Sequence, residues 1–122
     1  MGWKFDDAKP IYLQIAERIR EQIASGELAP GGKIPTVREI AETAGVNPNT
    51  VQRALSDLES AALVASERGN GGRFVTENSD ILEKLKHDLA HFAAADYIAK
   101  MNKLGFDKAA AGKYLREFKE EQ

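Results

Sequence analysis

The chain has no cysteine among its 122 residues, which excludes disulfides, cysteine zinc sites and thiol nucleophiles together and suits a reducing compartment. It has no long apolar run either. The longest, Ala61–Ala65, falls far short of the roughly 18 residues a membrane span needs. The N-terminus shows no basic-then-apolar leader, and Asp6 stands where a myristoylation motif starting at Gly2 requires Ser or Thr. A soluble, cytoplasmic protein with no membrane partner is expected. There is no excess of one charge: 17 basic against 19 acidic residues leave a net charge of −2. A nucleic-acid partner must therefore be betrayed by where cations sit, not by how many there are. Internal repeats, low-complexity runs and extended heptads are absent, which excludes solenoids and long coiled coils. No P-loop occurs, and Gly69-Asn70-Gly71-Gly72 lacks the third glycine and the following helix of a dinucleotide fingerprint. No cofactor and no enzyme activity are expected.

What is present is an ordinary globular balance, 43% hydrophobic and 30% charged, enough for one compact domain with a small appendage. Pro10 suits the first position of a helix, and Ile11, Ile15, Ile19 and Ile23 repeat at four-residue spacing up to a stop at Gly26. Pro30, Gly31, Gly32 and Pro35 then mark a turn-rich break. Thr36 and Glu39 form a capping box for a second helix with Val37, Ile40, Ala41 and Ala44 on its apolar face, closed by Gly45. One residue later Asn47 caps a third helix with Pro48 in its first turn, so two helices meet across a very tight turn. At about 100° per residue, Val51, Ala54, Leu55 and Leu58 share one side of this helix, and Asn49, Arg53 and Ser56 the other. Leu63, Val64 and Ala65, a Gly- and Asn-rich stretch, then Phe74 and Val75 read as a β-hairpin. A composition change after Glu77 divides a domain of residues 1–77 from a helical tail of residues 78–122. The tail holds a long helix from Asp80 to about Leu104, with Ser79 as its cap and Gly105 as its stop, and a last helix capped by Asp107.

Two helices about a tight turn, with a polar outer face on the second, describe a helix-turn-helix, whose second helix fits the DNA major groove. Asn49, Gln52 and Arg53 are placed to reach base edges, since Arg pairs bidentately with guanine and Asn or Gln with adenine; Thr50 suits a phosphate. Asp57, a turn later, would repel phosphate unless it pairs with Arg53 or faces away. Arg68 and Arg73 flank the Gly-rich hairpin tip, where they can enter a narrow groove or follow a phosphate ridge.

Three motifs in order carry a resemblance: Ile34-Pro35-Thr36-Val37-Arg38-Glu39-Ile40-Ala41, then Gly45-Val46-Asn47-Pro48-Asn49-Thr50-Val51-Gln52-Arg53-Ala54-Leu55, then Leu63-Val64 with Gly72-Arg73-Phe74-Val75. Over residues 10–75 they resemble the winged helix-turn-helix of GntR-family transcriptional regulators. The resemblance implies a mainly α fold with a small β-hairpin wing, and DNA contacts from Thr36 and Arg38 at the start of the second helix. It adds Asn47, Asn49, Thr50, Gln52 and Arg53 in the recognition helix, and Arg68, Gly72 and Arg73 in the wing. Pro48 stands where many members carry a basic residue, and Asn70 stands for the first glycine of the usual wing turn. The tail is too short for the large effector or aminotransferase-like domains of most members, and is similar to the two-helix tail of the YtrA-like subfamily. That similarity implies a homodimeric repressor on a palindromic operator, with a transporter operon as the target class and an unidentified small-molecule effector as a further partner.

The tail's own pattern agrees with dimerisation. Leu85, Leu89, Phe92, Ile98, Met101, Leu104, Tyr114, Leu115 and Phe118 exceed what two isolated helices bury between themselves, and Ile81, Leu85, Leu89 and Phe92 lie opposite Ala94, Ile98 and Met101. Either the long helix bends near 93–96, or its second face packs on a partner subunit, the reading preferred here. His87 and His91, one turn apart, superficially resemble a zinc-protease helix, but Asp88 replaces the required Glu; they are at best weak metal candidates or a sensor at the dimer interface. Trp3 and Phe5 are expected to pack on the domain surface or on a partner's tail. Two competing readings follow from these features: a protein-interaction scaffold with a vestigial DNA-binding domain, and a metal-responsive switch through His87 and His91.

Overall fold

The isoleucine repeat of the first helix becomes one buried stripe in the computed structural model, which describes residues 2–67 and 72–120. In α1 (Ile11–Ser25), Ile15, Ile19 and Ile23 are buried, while Ile11 is 42% exposed. The first turn of α1 thus lies beyond the core, and Pro10 sits at the N-cap rather than inside the helix. Gly26 ends α1 in the left-handed region at φ 85°, where a side chain would be strained. α2 (Val37–Ala44) starts on the expected capping box: Thr36 Oγ1 accepts from the Glu39 N–H at 3.1 Å, and Glu39 Oε1 accepts from the Thr36 N–H at 2.9 Å. It closes at Gly45, φ 75°, whose N–H donates to the Ala41 carbonyl. α3 (Pro48–Ser60) follows with Asn47 as cap, its Oδ1 accepting from the Asn49 N–H at 2.8 Å.

The apolar face of α3 is the centre of this part. Val51, Ala54, Leu55 and Leu58 are fully buried, and α3 packs against both α1 and α2. Truncating Leu55 or Leu58 to alanine removes packed methyl groups from a fully covered site, at a cost of about 2–5 kcal/mol.

After α3, Leu63 is buried and β1 (Val64–Ser66) pairs antiparallel with β2 (Arg73–Val75), in the register Val64–Val75, Ala65–Phe74, Ser66–Arg73. The connection before α2 is more than a turn. Its backbone runs beside β2: the Ile34 N–H donates to the Arg73 carbonyl, and the Val75 and Gly31 N–H groups exchange bonds with Gly32 and Val75, each at 2.9 Å. Turn residues at Pro30–Gly32 and Pro35 bracket a short edge where local sequence signals only a break, and this edge joins the segment before α2 to the base of the wing.

α4 (Ser79–Lys103) is one uninterrupted α-helix, with Ser79 as its first residue. Its cap is Asn78, not Ser79: Asn78 Oδ1 accepts from the N–H groups of Asp80 and Ile81 at 2.9 and 3.3 Å. An amide acceptor one position earlier reaches the free donors of the first turn, leaving Ser79 inside the helix. Gly105, φ 92°, terminates α4, with the Phe106 N–H returning to the Met101 carbonyl. Asp107 caps α5 (Lys108–Glu117) as expected, accepting from the Ala110 N–H at 2.8 Å.

The chain divides into two compact units, residues 1–86 and residues 87–122, with the division inside α4. Within the second unit Met101 and Ala111 are buried, the Tyr97 hydroxyl donates to the Ala111 carbonyl at 2.8 Å, and Phe106 meets Tyr114 edge-on. No helix among the described residues is long and apolar enough to cross a membrane.

Candidate nucleic-acid interface

Burying Val51, Ala54, Leu55 and Leu58 on one side of α3 forces Asn49, Gln52 and Arg53 outward, and all three are exposed; Thr50 is half-buried. The residues expected to reach base edges therefore share the open face of one helix. Asn47 lies at its N-terminus and is committed to capping through Oδ1.

Arg53 has a partner no periodicity argument supplied. Its guanidinium carbon lies 3.9 Å from the ring centroid of Tyr12, which α1 presents from its first turn. Ile11, Tyr12, Asn49, Thr50 and Arg53 line one shallow cleft. A guanidinium stacked on a ring keeps its N–H donors at the edge of the stack, where they remain available to an acceptor. The local signal was present in Pro10-Ile11-Tyr12: a tyrosine beside an exposed first turn. Its partner depends on how α1 packs against α3.

Asp57 neither pairs with Arg53 nor stands alone. Arg20 of α1 holds it through Nη2–Oδ2 at 3.1 Å, which removes the acidic obstacle that the α3 sequence suggested.

A second cleft joins the start of α2 to the wing, lined by Thr36, Val37, Arg38, Gly72 and Arg73 among others. Arg38 is exposed there. Gly72 is buried beneath the Lys33 side chain, and a Cβ at this position would come within 2.7 Å of Lys33 Cε. Arg73 is turned inward: its Nε donates to Glu59 Oε1 of α3 at 2.6 Å, and its side chain is 17% exposed. The structure thus gives Arg73 the task of fastening β2 to α3. Arg68 lies outside the described residues. Glu39 sits beside Arg38 in sequence, and its carboxyl is held below the usual glutamate range by the Thr36 N–H first, then the Thr36 hydroxyl, with Lys33 adding a smaller attraction against a slight desolvation. Its charge is therefore directed back into the helix cap.

The family model for bacterial regulatory proteins of the gntR family matches residues 11–74, which takes in α1, both helices about Gly45, β1 and all but the last residue of β2. The chain belongs to the GntR family. Along almost its whole length it is similar to the HTH-type transcriptional regulator YhcF of Bacillus subtilis, at 38% identity over 98% of each chain. It is 35% identical to the HTH-type transcriptional repressor YtrA of the same organism, over 71% of this chain and 75% of that one, which supports membership of the YtrA-like subfamily. A GntR-family regulator from Listeria monocytogenes superposes with TM-score 0.84 at 36% identity, covering 94% of this chain and all of that one. The DNA-binding domain of AraR, solved in complex with operator ORX1, matches with TM-score 0.53 at 34% identity over 62% of this chain and 92% of that domain. This GntR-family chain is a transcriptional regulator with a DNA-binding domain, and its relatives are regulators rather than enzymes.

The expected tail residues separate into two groups. Leu85 and Met101 are buried, Leu89 and Ile98 are half-buried, and Phe92, Leu104, Tyr114, Leu115 and Phe118 are between 52% and 72% exposed. The His87 and His91 rings stack with centroids 6.3 Å apart. Among the described residues no group of three or more His, Asp or Glu side chains could hold a metal ion, so the pair offers two donors and no completed site.

Proposed function

We propose that this GntR-family regulator is a homodimeric repressor that lays α3 in the major groove of each half-site of a palindromic operator. The observation that carries the reading is the open face of α3, where Asn49, Gln52 and Arg53 are exposed on a helix whose one acidic neighbour in mid-face is neutralised by Arg20. Arg38 contacts the duplex from the start of α2, Thr36, Asn47 and Thr50 lie against phosphates, and the wing follows the adjacent groove through Arg68, with Arg73 holding β2 to α3 through Glu59.

Five large apolar side chains of residues 87–122 stand in water, an area that a second copy would cover. Half-sites would lie about one DNA turn, roughly 10 bp, apart. Occupying a promoter in this way excludes polymerase, and a transporter operon is the target class carried by the subfamily resemblance. Selection of bound duplexes from a random pool tests all of this together. It should return a two-fold symmetric site, with affinity falling steeply as salt rises, at a slope near −0.9 per contacted phosphate. An asymmetric consensus, or no enrichment at all, defeats the proposal. Sedimentation of the free protein should give twice the chain mass, and a charge placed by Phe92→Glu or Leu115→Glu should shift it to the single-chain mass.

A further inference from the structure

Gln22 and Thr43 edge a space that the surrounding apolar side chains leave unfilled. Trp3, Ile19 of α1, Leu28, Ile34 and Pro35 of the following segment, and Ile40 of α2 form its walls, and its volume is about 130 Å³. Ile19, Ile34 and Ile40 at its base are buried, whereas Pro35 and Thr43 at its rim are exposed, so the space is a pocket sunk into residues 1–86 and open on one side.

We propose that this cavity is a binding site for an uncharged small molecule built on a single apolar ring. Size and chemistry both select that class. An apolar space of about 150 Å³ is large enough to accept benzene. The two polar side chains at the edge are already engaged within the protein: Gln22 Nε2 donates to Glu27 Oε2 at 2.9 Å, and Thr43 Oγ1 donates to the Glu39 carbonyl at 2.9 Å. No buried side-chain nitrogen or oxygen among the described residues lacks a partner, so the walls present nothing that would repay the desolvation of a charged ligand.

The Trp3 wall is fastened from outside. The Trp3 N–H donates to the Ala44 carbonyl at 3.1 Å, and the Arg18 guanidinium lies 4.2 Å from the indole centroid. A Cβ at Gly2 would meet the Ala44 oxygen at 2.6 Å, so glycine allows the arm to approach α2 closely enough for that bond.

Titration of the full-length protein with toluene tests the site without reference to DNA. Trp3 is the only tryptophan, so its emission reports that wall directly. A saturable change is expected, with half-saturation at about 1 mM or below, and benzoate should not reproduce it. The Ile19, Ile34 and Ile40 methyl resonances should shift along the same curve, while those of Ile11 and Ile98 stay in place. Leu28→Phe, which enlarges a half-buried wall residue, should weaken the response at least tenfold. Absence of saturation, shifts spread equally over Ile11 and Ile98, or an unchanged affinity in folded Leu28→Phe each overturns the site. Should that variant not fold, the methyl map of the parent protein decides alone.

Discussion

Removing the ring beneath Arg53 tests whether α1 takes part in reading DNA. Arg53 is exposed and stacks at 3.9 Å on a half-buried Tyr12, a geometry worth about 0.5–1 kcal/mol in water and about 2 kcal/mol where a partner excludes solvent. Part of that energy holds the guanidinium in place before DNA arrives, so binding loses less rotamer freedom when the ring is present. Tyr12→Leu should therefore weaken operator binding roughly twofold to tenfold. Arg53→Ala should cost about 1–3 kcal/mol, roughly fivefold to 150-fold, because a base-edge partner is lost altogether.

The decisive comparison is the double variant. If Tyr12 acts through Arg53, the loss caused by Tyr12→Leu should vanish once residue 53 is alanine, giving a coupling about as large as the single Tyr12 effect. Tyr12→Phe keeps the face of the ring and should bind within about twofold of the protein that has Tyr12 in the same background. Fluorescence anisotropy with the selected operator at one fixed salt concentration measures all six proteins. Equal weakening by Tyr12→Leu with and without Arg53 would refute the coupling, and would mean that Tyr12 meets the duplex, or supports α1, independently.

Thr36→Ala removes the acceptor at the start of α2 and should lower unfolding free energy by about 1 kcal/mol in urea melts. The bond in return, from the Thr36 N–H to Glu39, lowers the carboxyl's pKa in the folded state. Its contribution is thus complete above the ordinary glutamate range and disappears as pH falls through the depressed folded value; the gap in melting temperature between parent and Glu39→Ala should narrow on acidification and not on raising the pH. Ala62 is the one described non-glycine residue with positive φ, 62°, in the turn between α3 and β1. Ala62→Gly should relieve left-handed strain and stabilise the fold by up to about 1 kcal/mol; destabilisation would show that the turn is set by something other than φ. Arg73→Ala leaves a half-buried Glu59 without its ion partner and should destabilise by about 1–2 kcal/mol, with the loss seen in thermal melts without DNA. An unchanged melt combined with weakened operator binding would return Arg73 to the duplex.

Local rules were sufficient wherever one segment decides its own state. Thr36–Glu39, Asn47–Pro48 and Asp107 announce helix starts because capping is short-range chemistry, and Gly26, Gly45 and Gly105 end helices because few other residues tolerate their backbone angles. The same locality explains the misplacement at Ser79, where two adjacent cap-forming residues compete and Asn78 reaches the first-turn donors. The exposed face of α3 was legible for a similar reason, since four buried residues at helical spacing dictate which three side chains remain outside. Pairings between segments were not legible. Arg20 with Asp57, Arg53 with Tyr12 and Arg73 with Glu59 join residues 37, 41 and 14 positions apart, and each depends on the packing of α1 or the wing against α3. These three pairs decide which cations can reach a phosphate or a base. Arg73, counted with the DNA-facing set on its position beside a Gly-rich turn, is the example: its neighbour in space is a carboxylate on α3, and an arginine so held builds the wing before it can read anything. Charge counting on this chain therefore overstates the cations free of an internal partner, since the balance of 17 basic and 19 acidic residues conceals ion pairs on the wing side and at mid-helix.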